Sequence, residues 1–252
     1  MKRAQENALS GKPYAAELMS MLGQLTGRQE TENHPFFNPV GQVNHVFVVV
    51  IGPEKGLAGS LISNLARKMF LVLDKIKKDH RGARISAISL GKKARDLVKK
   101  TGVPLLADFS GGDQISALSE FLTRAYLAHE TELVIVLYQN FINTVTQMPV
   151  EVQFLPIAVN DLQTQKQANR IIIFEPTTRE VLESLVEHYL IMVLRQIWLD
   201  CQAAEHSARM VAMKNASDNA KDIIKYLTLT YNQTRQTSIT NEIADIVSGV
   251  TI

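Results

Sequence analysis

An α/β domain with a mainly parallel sheet, followed by one very long helix, is the fold class this sequence predicts. Three observations predict it. Between residues 46 and 138, β-branched apolar runs alternate with stretches of helical spacing. From Thr177 to Ser248 there is neither glycine nor proline. Across that same span, apolar or small residues return every three or four positions.

The elements follow in order. Residues 2–25 have helical spacing, with Gly11 and Pro13 predicting a kink. A polar loop with prolines and asparagines runs from about Thr26 to Asn44. Val46 to Ile51 is a continuous apolar run, the pattern of a strand buried on both faces. A glycine-rich turn leads to an amphipathic helix near Ser60 to Lys78, and Ala83 to Leu90 is the second strand. A basic helix over Lys92 to Lys100, a short strand over Val103 to Asp108 and a helix over 113–129 come next. Glu132 to Tyr138 is another apolar strand, and Glu151 to Val159 with Arg170 to Phe174 supply two more, antiparallel at one edge. In the final helix the expected stripe is Leu182, Leu185, Tyr189, Val193, Ile197, Cys201, Ala204, Ala208, Ala212, Ala216, Ala220, Ile223 and Leu227. At 1.5 Å per residue this helix is about 100 Å long, so much of it is expected to project and to need a partner. The small residues between Ala203 and Ala220 suit the close approach of another helix, and residues 2–25 are the one candidate within the chain.

Composition narrows the class. The chain has 252 residues, 46% hydrophobic and 21% charged, enough for one core plus an extension. The opening MKRAQENALS lacks the apolar core of a signal peptide, and Tyr189 to Leu199 is too short to span a bilayer and contains Arg195. The single cysteine, Cys201, excludes an internal disulfide and reads as a small buried side chain. Net charge is +2, but residues 1–100 hold 17 Lys+Arg against 8 Asp+Glu. The surplus sits in two clusters, Lys75, Lys77, Lys78, Arg81, Arg84 and then Lys92, Lys93, Arg95, Lys99, Lys100. These read as a solvated face; no aromatics or nucleic-acid motif accompany them.

Each candidate for chemistry has a plainer reading beside it. IGPEKGLAGS carries Gly52, Gly56 and Gly59 after a strand, and free backbone N–H groups at such a turn can hold a phosphate. The spacing is neither a P-loop nor a dinucleotide fingerprint, so tight turning and close helix packing account for the glycines better. The six histidines show no metal-ligand spacing and no nucleophile elbow is present. Asn215, Ser217, Asp218 and Asn219 make a polar face on the long helix, and Asn232 to Thr237 a second, with Arg235 able to hold a carboxylate.

AEHSARMVAMKNASDNAKDIIKYLTLTYNQTRQTSITNEIADIVSG, Ala204 to Gly249, resembles the C-terminal helix of the F-type ATP synthase gamma subunit. The ARMxAM, YNxxRQ and ITxE runs occur in order. RAQENAL at Arg3 to Leu9, KGLAGS at Lys55 to Ser60, LYQNFINTVTQ at Leu137 to Gln147 and FEP at Phe174 to Pro176 are similar to family segments as well. The resemblance implies an antiparallel coiled coil of the N- and C-terminal helices plus a Rossmann-like α/β domain. The corresponding parts are 1–30, the N-terminal coiled-coil helix; 43–175, the α/β domain; and 177–250, the C-terminal helix. It implies a non-catalytic central rotor without cofactor or metal, coupling ion flow through the membrane ring to ATP synthesis or hydrolysis on the beta subunits. The implied partners are the ring of alpha and beta subunits, the epsilon subunit and the c ring, with no nucleic acid. The membrane is met only through that complex, as a peripheral protein on the cytoplasmic face of the cell membrane. By position, Arg235, Gln236, Thr240 and Glu242 match contacts to the beta subunits, and Phe174, Glu175 and Pro176 fall where the foot nears the c ring and epsilon.

Three departures from the family pattern stand out. Met1 matches an internal position, so the usual basic opening segment is expected to be missing and the coiled coil short. The Ser-Asp-Arg that usually precedes the turn is Pro53, Glu54, Lys55, and the tail reads Gly249, Val250, Thr251, Ile252 in place of alanines. The plant regulatory cysteine pair is absent. The competing readings are a nucleotide-dependent protein using the Gly52–Gly59 turn and a basic module acting through Lys75 to Lys100.

Overall fold

The structure, a computed structural model, describes residues 11–25, 34–38, 41–158 and 177–250, together with Ala4 and Glu6. The chain divides into two compact units, Met1–Arg209 and Met210–Ile252. In the first, α1 (Lys12–Leu25) precedes β1 (His45–Ile51), α2 (Leu61–Asp79), β2 (Arg84–Leu90), α3 (Lys92–Thr101), β3 (Leu105–Phe109), α4 (Ile115–Leu127), β4 (Leu133–Phe141) and β5 (Gln147–Leu155). The last helix, α5, runs from Thr178 to Val250, 73 residues, and contributes to both units.

The sheet has the order β3-β2-β1-β4-β5. β1 pairs parallel with β2 and β4, β2 parallel with β3, and β5 closes the edge antiparallel to β4. The alternation of β1 explains why its run is uninterrupted. Val46, Val48 and Val50 face one core, with Leu65, Met69, Val72 and Ile76 of α2 and Ala94 and Val98 of α3. Phe47, Val49 and Ile51 face the other, with Leu118 and Leu122 of α4 and Leu182, Val186, Leu190 and Leu194 of α5. Period-two side chains on a strand covered on both faces leave no polar position. The sheet is therefore sandwiched between α2 and α3 on one face and α4 and the first half of α5 on the other.

Several expectations shift. β3 covers Leu105–Phe109, and β5 opens at Gln147, ahead of the expected Glu151. Arg170 to Phe174 lies outside the described residues, as does most of the segment before Gly11. Pro13 sits in the first turn of α1, where its missing N–H removes no helical bond. The buried stripe of α5 is centred on Leu182, Val186, Leu190, Leu194, Ile197 and Cys201, while Leu185, Tyr189 and Val193 only flank it. Both stripes are apolar in this stretch, and contact with the sheet selects one of them. The small residues Ala203 and Ala204 are taken not by α1 but by Ala58, Leu61 and Phe141, from the turn, the start of α2 and the end of β4. α1 packs lower down: Leu22 joins Leu182 and Val186, and Tyr14 hydrogen-bonds His188 at 2.8 Å.

Candidate functional site

In open α/β sheets the ligand crevice lies outside the carboxyl ends of the strands, where the strand order reverses. Here that point falls between β1 and β4. The long helix itself occupies it. Cys201 is buried and donates its thiol to the Ile51 carbonyl, 3.5 Å away, at the end of β1. Two residues on, Ala203 and Ala204 are fully buried against Phe141 at the end of β4. Burial pushes the Cys201 thiol up to about 12, and the Tyr138 phenol on β4 is likewise pushed up to about 12 by burial.

The turn Gly52 to Gly59 then wraps the next turn of the helix. The backbone N–H groups of Glu54 and Lys55 donate to the two carboxylate oxygens of Glu205, at 3.3 and 3.4 Å. Arg209, one helical turn further, donates its guanidinium to the carbonyls of Gly56 (3.3 Å) and Lys55 (3.5 Å). Glu205 and Arg209 also pair with each other. Their side chains keep only 10% and 23% of their exposure, so this is a partly dry contact in which charged hydrogen bonds hold more strongly than on the surface. Two successive N–H donors of the turn are thus satisfied from within, by a carboxylate 150 residues away in sequence. That geometry removes the ground for reading the turn as a phosphate cradle.

The turn is braced from behind as well. Glu54 accepts from the N–H of Gly111 at 3.0 Å and of Lys92, the first residue of α3, at 3.4 Å. Gly52 N–H donates to Leu90 and Lys93 N–H to Pro53. A Cβ on Gly52 would stand 3.1 Å from the Cβ of Ala94, so one glycine serves close packing of α3, as the sequence suggests. Because the helix is gripped through backbone groups of residues 54–56, the replacement of the family's usual residues by Pro53, Glu54 and Lys55 leaves the grip in place.

The residues singled out from sequence stand as follows. Arg235, Gln236, Thr240 and Glu242 are exposed on α5 within the second unit. At 100° per residue, Arg235 and Glu242 share one stripe, and Gln236 and Thr240 share another. Thr240 donates its hydroxyl to the Gln236 carbonyl at 2.8 Å. Phe174, Glu175 and Pro176 lie outside the described residues. Lys75, Lys77, Lys78, Lys99 and Lys100 are exposed, and Lys75 with Lys68 pairs Glu151 on β5. Among the described residues no group of three or more His, Cys, Asp or Glu could hold a metal. Glu205 and Arg209 were not apparent as site residues. The available signal was an i,i+4 acid–base pair set among small residues that otherwise predict unbroken packing.

The sequence model of the ATP synthase family matches residues 1–251. The ATP synthase gamma chain of Roseiflexus sp. (strain RS-1) is 38% identical over 257 residues, covering 99% of this chain and 87% of that relative. The ATP synthase gamma chain of Herpetosiphon aurantiacus is 36% identical over 264 residues, covering 100% of this chain and 88% of the relative. Among solved structures, a chain of the Tetrahymena thermophila mitochondrial ATP synthase central stalk and c-ring has the same fold. Its TM-score is 0.54 at 20% identity, covering 83% of this chain and 99% of that one. A chain of the Euglena gracilis mitochondrial ATP synthase gives 0.58 at 14% identity, covering 99% and 93%. With identities above a third across nearly the whole length, this chain belongs to the ATP synthase gamma chain family.

Proposed function

We infer that this gamma chain is the central rotor stalk of an F-type ATP synthase, coupling rotation of the membrane ring to ATP synthesis or hydrolysis on the beta subunits. It is a structural and mechanical subunit and catalyses no step itself. The observation that carries the reading is the exposed half of α5. Between Ile223 and Val247, ten large apolar side chains, among them Leu227, Tyr231, Ile239 and Ile243, are at least 43% exposed. They are interleaved with Asn232, Gln236 and Glu242. A single helix does not hold such a face open in water for its own stability. A shaft inside a ring of subunits, partly paired with another helix, accounts for the mixture. It needs apolar seams for the coiled coil and polar stripes that turn past successive neighbours without sticking.

On this reading the chain has three working parts: 1–30, the N-terminal coiled-coil helix; 43–175, the α/β foot; and 177–250, the shaft. The partners are the alpha and beta subunits around the shaft, with epsilon and the c ring at the foot. Arg235, Gln236, Thr240 and Glu242 contact beta-subunit loops, Arg235 by a forked bond to a carboxylate. Phe174, Glu175 and Pro176 meet the c ring or epsilon. No helix among the described residues is long and apolar enough to cross a membrane. On the rotor reading the chain works as a peripheral protein on the cytoplasmic face of a bacterial cell membrane, held there by the ring. Co-purification with tagged alpha and beta subunits tests this. The expected product is one complex carrying a single copy of this chain, with ATPase activity that depends on it. Alpha and beta subunits that assemble and hydrolyse ATP identically without it would end the reading.

A further inference from the structure

Two kinds of contact hold α5 in the first unit. From Leu182 to Cys201 the contact is apolar burial against the sheet. That packing chooses which stripe of the helix faces the sheet, and it ends at Ala204 where the helix leaves the core. The contacts at Glu205 and Arg209 are directional. An acceptor on one helical turn takes the N–H groups of residues 54 and 55, and a donor on the next turn takes the carbonyls of residues 55 and 56. The strand of backbone between them is itself anchored by Glu54 to the starts of α3 and of the loop after β3.

We infer that this bracket is the torsional joint of the rotor, the contact through which turning of the α/β foot is delivered to the shaft. The inference rests on the rotor reading above and names the residues that carry load within it. Geometry makes the joint stiff. The heads of Glu205 and Arg209 lie about 5–6 Å from the helix axis, so a twist of about 10° moves them about 1 Å. Bonds that start at 3.3–3.5 Å are lost by that displacement. Glu205 and Arg209 lie one turn apart on one face of the helix, so a twist in either sense displaces both heads from the same stretch of backbone. Glu205 and Arg209 are positioning residues: they touch no nucleotide and act through the angle they impose.

The test is a stiffness measurement on the assembled alpha–beta–gamma complex. A bead is attached to the foot through Lys99→Cys, and in a second preparation to the helix past the bracket through Lys214→Cys. Angular fluctuation is recorded during the pause before ATP binds. Glu205→Gln and Arg209→Lys each weaken one of the two polar attachments while preserving size, so the variance of the foot bead should rise about twofold. The variance of the Lys214 bead and the melting temperature of the complex should stay unchanged. The double variant Glu205→Ala, Arg209→Ala should widen the foot fluctuation further. Unchanged foot variance, or an equal rise for both beads, overturns the joint. Failure of the unsubstituted chain to assemble or rotate overturns the rotor reading itself, and a purely structural role would lower the melting temperature without separating the two beads.

Discussion

Gly91 offers a sharp test of how the turn region is held. It joins β2 to α3 with φ +102, and a Cβ built there would stand 2.3 Å from the carbonyl oxygen of Gly52. The obstacle is backbone, so no side chain can swing aside. Ordinary carbon–oxygen approach is about 3.3 Å, which means one chain must retreat by about 1 Å. Substitution to alanine therefore adds about 1–3 kcal/mol of conformational strain. Overpacking adds about 1–3 kcal/mol more. A loss of about 2–6 kcal/mol is expected in total. Gly102, the C-terminal cap of α3, is the control. Its φ is +72 with nothing within 4 Å of the built Cβ, so Gly102→Ala meets only the left-handed penalty of about 1–2 kcal/mol. The assay is urea unfolding followed by fluorescence of Trp198, the single tryptophan, which is 6% exposed in the first unit's core. With a slope of about 2 kcal/mol per molar urea, the Gly91 midpoint should fall by about 1–3 M and the Gly102 midpoint by about 0.5–1 M. Coincident midpoints for the two variants would refute the close approach of Gly91 to the turn.

Three further outcomes are expected. Cys201, buried and with its thiol pushed up to about 12, should not react with a disulfide reagent at pH 8 until denaturant is added; reaction of the native chain at the rate of a free thiol would contradict its burial on α5 against the end of β1. Glu151 is held below the usual carboxylate range first by the hydrogen bond from Lys75; burial opposes this, and the hydrogen bond and charge of Lys68 add smaller downward effects. A depressed folded value means the unfolded chain binds the proton first, so the stabilisation is complete above about 4.5 and fades as pH falls through the folded value. Glu151→Gln should thus flatten the acid limb of a stability profile below about pH 4.5, and an unchanged limb would remove the assignment. Arg235→Ala with Gln236→Ala should weaken coupling or assembly of the reconstituted complex while the unfolding transition of the α/β domain stays put. Full ATP-driven ion pumping by that variant would move the beta contact elsewhere on the shaft.

Much of the architecture was legible because it depends on local period. The apolar run of β1, the spacing of Leu65, Met69, Val72 and Ile76, and a span from residue 177 to 248 free of glycine and proline each specify their element without help from the rest of the chain. Membership of the family was legible for a related reason, since the ARMxAM, YNxxRQ and ITxE runs are contiguous. Residues 235–242 were legible as residue types only. Their use is a contact with other chains, which the fold of this one does not determine.

Tertiary structure decided matters that pair distant residues. Two apolar stripes were available on α5, and packing against the sheet chose Val186, Leu190 and Leu194 over their neighbours one position away. The Gly52–Gly59 turn has the same sequence whether its N–H groups face a phosphate or a carboxylate. Only the folded chain brings Glu205 to those groups and Arg209 to the carbonyls beside them. Period and propensity act over one or two turns of helix and can be read from the residues themselves. The satisfaction of a backbone donor depends on what lies within about 3 Å in space, and that is settled only when the chain has closed on itself.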